Sequence, residues 1–139
     1  MSEVPSRPSP TVALLTLSRA AELEMSRLLE PHGLSLRKFG ILTRIAAVPG
    51  ISTADLARRS DLAPEDVAPM LRTLRDAGLT RPGDERSATV AITPAGARLL
   101  ASLEASISEL DERLFAGDRA ELAASLLGAT AVPHAEPQD

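Results

Sequence analysis

The stretch ISTADLARRSDLAPEDVAPMLRTLRDAGLTRPGDERSATVAITP, Ile51 to Pro94, decides the fold. Ser52-Thr53-Ala54-Asp55 has the form of a capping box with Asp in the role of Glu or Gln, and it opens a short helix that ends near Ser60. A second helix spans roughly Pro64 to Ala77. Proline suits its first position, Val67, Leu71 and Leu74 recur on one face, and Gly78 is its C-terminal stop. Arg81-Pro82-Gly83-Asp84-Glu85 is a turn, and Ala88-Thr89-Val90-Ala91-Ile92 alternates like a strand, so residues 79–92 read as a β-hairpin. Thr93-Pro94 then caps another helix, because Thr is an N-cap residue and Pro tolerates the position after it.

The flanks are helical. From about Thr11 to Glu30 the apolar residues Leu14, Leu17, Ala21, Met25 and Leu28 share one face, and Pro31-His32-Gly33 ends the run. Ser35 is an N-cap candidate for a helix carrying Leu36, Phe39, Leu42 and Ile45 until Pro49-Gly50. After Pro94, Gly96, Leu100, Leu103, Ile107, Leu110 and Leu114 recur at alternating four- and three-residue steps, a coiled-coil-like seam. Gly117 breaks it, Asp118 and Glu121 re-cap, and a last helix carries Leu122, Leu126 and Leu127. Two short helices joined by a tight turn, then a hairpin, are the parts of a winged helix-turn-helix. The expected class is therefore mainly α with a small β-hairpin wing. Its divisions are 1–10 (disordered), 11–34 (N-terminal dimerisation helix), 35–93 (winged module), 94–130 (C-terminal dimerisation helices) and 131–139 (disordered tail).

The leucine seam is either an internal core or an interface between two chains. One winged-helix core cannot cover helices this long, whereas two-fold pairing covers them and presents two second helices to two half-sites. The interface candidates are Leu14, Leu17, Leu103, Ile107, Leu110, Leu114, Leu122 and Leu126.

Composition removes whole classes of chemistry. Cysteine is absent from the 139 residues, which excludes thiolate metal sites, disulfides and thiol-based redox sensing. The histidines are His32 and His134 alone, so neither a metal nor another cofactor is expected. Phe39 and Phe115 are the only aromatic residues, too few for a base-stacking platform. No nucleophile elbow or other catalytic spacing occurs, so an enzyme is not expected. No apolar run approaches the ~20 residues of a membrane span, and the expected location is the cytoplasm. Net charge is −4, yet residues 37–86 hold nine basic against seven acidic residues, a mildly basic middle between acidic flanks.

The chain resembles the multiple-antibiotic-resistance regulator (MarR) family of dimeric winged-helix transcription factors. Pro31-His32-Gly33-Leu34-Ser35 ahead of Phe39 carries the resemblance, with Pro49-Gly50-Ile51-Ser52-Thr53-Ala54-Asp55-Leu56-Ala57 and Leu71-Arg72-Thr73-Leu74-Arg75-Asp76-Ala77-Gly78-Leu79. Asp84-Glu85-Arg86 is similar to the family's wing Asp-x-Arg, and Thr93-Pro94-Ala95-Gly96 to the start of its dimerisation helix. The resemblance covers about residues 11–128. It implies a homodimer that binds a near-palindromic operator in double-stranded DNA, usually as a repressor, and that releases it when a small, often anionic aromatic effector binds. It also implies that Asp84 holds Arg86 by a salt bridge so that the wing arginine meets DNA.

The DNA-binding candidates are Arg58, Arg59, Arg72, Arg75, Arg81 and Arg86. Several have plainer readings. Arg58 and Arg59 suit a solvated face, and Arg72 has an i,i+4 partner in Asp76. The chain also departs from the family. Glu65, Asp66 and Pro69 stand where members place Ser, Thr or Arg, and acids repel phosphate. Pro69 falls inside the second helix, which must then kink or begin anew near it. The alternative is thus a dimer of the same fold with weakened or lost DNA binding, acting through protein or small-molecule partners.

Overall fold

The computed structural model describes residues 7–84, 86 and 88–131. Glu85, His134 and most of the two segments expected to be disordered lie outside the described residues. Six helices and one two-stranded antiparallel sheet follow in the order α1 (Pro10–Leu29), α2 (Leu36–Ala47), α3 (Thr53–Arg59), α4 (Pro64–Asp76), β1 (Thr80–Pro82), β2 (Val90–Ile92), α5 (Pro94–Leu114) and α6 (Ala120–Ala131). This is the winged helix-turn-helix that the sequence predicts. The chain divides into two compact units, residues 1–104 and 105–139.

Polar caps start α2 and α3 where the sequence placed them, whereas Asp118, expected to re-cap the last helix, lies within a 3-10 turn (Gly117–Arg119) that has no side-chain cap. The Ser35 and Ser52 hydroxyls accept from the N–H groups of Lys38 (3.2 Å) and Asp55 (3.1 Å), each satisfying an orphan donor of a first turn. Ser9 does the same for Val12, so α1 begins at Pro10, one residue before the expected start. In the first unit the core gathers Leu29, Ile41, Leu42, Ile45, Leu56, Val67, Leu74 and Leu103, all 2% exposed or less. Helix α2 lies at the centre, in contact with α1, α3, α4 and β2.

The hairpin pairs Thr80 with Ile92, Arg81 with Ala91 and Pro82 with Val90. It is shorter than the expected strand from Ala88, for a backbone reason. Ala88 adopts φ +49°, which an extended strand cannot contain. Thr89 pairs instead with Ser52 across an isolated bridge. Around it, Thr53 N–H donates to the Ala88 carbonyl (2.9 Å) and Val90 N–H to that of Ile51 (3.0 Å). These bonds tie the wing to the N-terminal end of α3.

In the second unit Leu110 is 2% exposed and Leu114 and Leu126 are half-buried. Leu122 and Leu127 are exposed (37% and 70%), and in the first unit so are Val12, Leu14, Leu15 and Leu23 (51–64%). Leu17 and Ile107 are half-buried. Leu103 and Leu110, expected at an interface between chains, are already covered within one chain. They have almost no surface left to give a partner.

Candidate nucleic-acid interface

Helix α3 ends in a Schellman turn. Leu62 N–H donates to the Ala57 carbonyl (3.0 Å) and Asp61 N–H to that of Arg58 (3.2 Å), with Asp61 at φ +56° in the position glycine usually holds. This sharp reversal sets the start of α4, where Pro64 occupies the first position and Ala63 offers no side-chain cap. Glu65 and Asp66 stand in the first turn, where negative charge complements the helix N-terminus.

Val67 and Leu74 fix the inward face of α4, and Leu71 is half-buried. Glu65, Asp66, Ala68, Pro69, Arg72, Thr73, Arg75 and Asp76 are exposed. Of the two ways to accommodate Pro69, a fresh start near it is not the one adopted. The helix runs unbroken from Pro64 to Asp76 with Pro69 inside. Pro69 has no N–H for the Glu65 carbonyl, and its own carbonyl accepts from the Thr73 hydroxyl (3.1 Å).

A second Schellman turn closes α4. Gly78 (φ +76°) donates to the Arg75 carbonyl and Leu79 N–H to that of Leu74. Thr93 then locks this end to α5. Its hydroxyl donates to the Gly78 carbonyl (2.6 Å) while accepting from Gly96 N–H (3.1 Å).

Between α4 and the hairpin runs a groove of about 190 Å³ whose walls carry Arg72, Arg75 and Arg81. Among the described residues no carboxylate lines it, and the hydroxyl residues Thr53, Thr80 and Thr89 do. Arg72 forms no ion pair with Asp76 or any other described residue, so its guanidinium is available. Such a surface matches a phosphodiester backbone: charge-assisted donors in a fixed fork, with hydroxyls beside them.

The other candidates stand apart from this groove. Arg58 and Arg59 are exposed near the far end of α3, and Arg58 is paired with Asp55. Arg86 is exposed in the loop between the strands, where its backbone N–H donates to Asp84 Oδ1 (3.0 Å). The three threonines were missed by sequence reasoning. Threonine is too common for its type to signal a site, and only the antiparallel pairing brings these three together.

No protein-family model matches the chain. It is 36% identical over 97 residues to the HTH-type transcriptional repressor Rv2887 of Mycobacterium tuberculosis, covering 67% of this chain and 70% of that one. Among solved structures, the Mycobacterium tuberculosis MarR family protein Rv2887 in complex with DNA superposes with a TM-score of 0.77 at 26% identity, over 91% of this chain and 100% of that one. Its complex with salicylic acid gives 0.69 at 25% identity, over 91% and 98%. A MarR family transcriptional regulator from Silicibacter pomeroyi shares the fold, with a TM-score of 0.74 at 21% identity over 94% and 95% of the chains.

Proposed function

The chain belongs to the MarR family of winged helix-turn-helix regulators, and from that premise we propose that it is a homodimeric transcriptional repressor. It binds near-palindromic operators and releases them to a small organic acid. The observation that carries this reading is the groove of Arg72, Arg75 and Arg81 between α4 and the wing, which no carboxylate of the described residues lines. In the proposed complex α4 lies in the major groove, Arg72 and Arg75 contact the duplex from it, and Arg81 holds the backbone from the wing. Arg86 reaches DNA from the loop, oriented by Asp84. Arg58 and Arg59 are secondary phosphate contacts. The salicylic acid complex of Rv2887 supports the effector class.

The acids at 65 and 66 do not require a protein that has lost DNA. Their place in the first turn of a helix without a side-chain cap gives them a role within the fold. Selection of genomic fragments by the purified protein tests the reading. A pseudo-palindrome should be enriched, and binding should fall steeply with salt because phosphate contacts release counterions. Enrichment of no sequence would overturn it.

A further inference from the structure

At the end of α3 away from the arginine groove lies a second recess, of about 330 Å³, in the range of small-ligand pockets. One wall is a single stripe of α2: Arg37, Gly40, Ile41 and Arg44, at the three- and four-residue spacing that shares a helix face. The other wall is the turn between α3 and α4, from Ser60 to Leu62. We propose that this recess binds a small organic monocarboxylate, its carboxylate held between Arg37 and Arg44 and its apolar body against Ile41 and Leu62. The proposal locates the acid-binding half of the function above and rests on it.

Three features point to such a ligand. Arg37 and Arg44 are both exposed and neither is ion-paired with a described residue, although each presents a planar fork that fits a carboxylate. Gly40 sits between them in the helix interior, where glycine is less favourable than alanine. Nothing in the packing asks for it, since a Cβ there would meet no atom within 4 Å. Its effect is to keep the floor between the two arginine stems open. The Ser60 hydroxyl, buried in the turn, has no hydrogen-bond partner among the described residues. It therefore has no bond to lose when it rotates toward an oxygen in the recess.

Asp61, also in the lining, sets the charge of the ligand. Two guanidiniums and one carboxylate leave one net positive charge. That complements a monoanion and disfavours a phosphate dianion beside Asp61. A ligand seated here touches the turn that leads directly into Pro64 and α4.

The test is binding of salicylate to the full-length protein, followed by amide chemical shifts and calorimetry, with neutral salicylamide as the charge control. The largest shifts should fall at Gly40, Ser60, Asp61 and Leu62, and salicylamide should bind at least about tenfold more weakly. Arg44→Gln should weaken salicylate by a similar factor. Gly40→Leu should block the site while the melting temperature holds or rises, an outcome that a merely structural role for Gly40 would not give. If salicylate binds but shifts other residues, or binds both variants with unchanged affinity, this site is overturned and the proposed repressor stands. If operator DNA is bound but salicylate is not bound even at millimolar concentration, the site and the acid-responsive part of the function both fall.

Discussion

Gly96 shows how one residue joins the DNA-binding module to the long helix after it. A Cβ at this buried glycine would lie 2.8 Å from Ile92 Cγ1 and nearer still to the Leu79 carbonyl oxygen. That carbonyl is fixed, because it accepts from Thr93 N–H (3.0 Å). Gly96→Ala should therefore destabilise the protein by about 1–3 kcal/mol, read as a lower urea midpoint. An unchanged midpoint would show that the helix shifts freely. Asp61 gives the opposite expectation. Its φ of +56° strains a residue with a Cβ, so Asp61→Gly should add about 1 kcal/mol, measured by the same titration, and a loss would refute it. The two positions also differ in legibility. Ser35, Ser52, Gly78 and Thr93 announce caps and stops by residue type, and each serves as its type suggests. Asp61 does not, because the left-handed turn it makes carries no glycine to mark it.

Helix α4 is the element on which sequence and structure most nearly disagree. A proline in a helix interior costs about 3 kcal/mol, yet α4 is continuous through Pro69. Packing of Val67 and Leu74 in the core, 2% and 1% exposed, outweighs the local penalty. Pro69→Ala should thus raise stability, by up to about 3 kcal/mol in urea unfolding, since position 69 is exposed and loses no packing. No gain would mean that the Glu65 carbonyl finds another partner. Arg72→Ala, on the same exposed face, should weaken operator binding and reduce the salt slope by about one unit if the arginine meets a phosphate. A loss confined to one base position, with the slope unchanged, would assign it to base readout instead. Element type was legible because apolar spacing marked each helix, with α4 and the turn before α6 lacking a side-chain cap to help. The length of the wing strands was not, because the Ser52–Thr89 bridge depends on a contact between segments thirty-seven residues apart. The same limit hid both recesses. Arg72 and Arg81 line one groove, and Arg37, Arg44 and Ser60 one recess, only once the chain has folded.

At the scale of the molecule, the question is what covers the apolar side chains that one chain leaves in water. The seam of α5 suggested an interface, but Leu103 and Leu110 are buried already. The unsatisfied surface lies elsewhere: Val12, Leu14, Leu15 and Leu23 on α1, and Leu122 and Leu127 on α6. Fully burying such a side chain contributes roughly 1.5–3 kcal/mol, and a two-fold interface counts each residue twice. Association costs on the order of 4–15 kcal/mol, so several of these side chains must be covered together for the pairing to hold. The expected species is a dimer, with a mass by light scattering of twice 14.6 kDa. Leu14→Glu with Leu127→Glu places four charges in the interface of such a dimer. Because both positions are exposed in the single chain, the variant should keep its helical circular dichroism while falling to the monomer mass. It should also lose operator affinity, since two half-sites would no longer be held by one particle. A native protein that elutes as a monomer at micromolar concentration would overturn this assembly. So would a double variant that remains a dimer, because the exposed leucines would then have been covered by something other than a second copy.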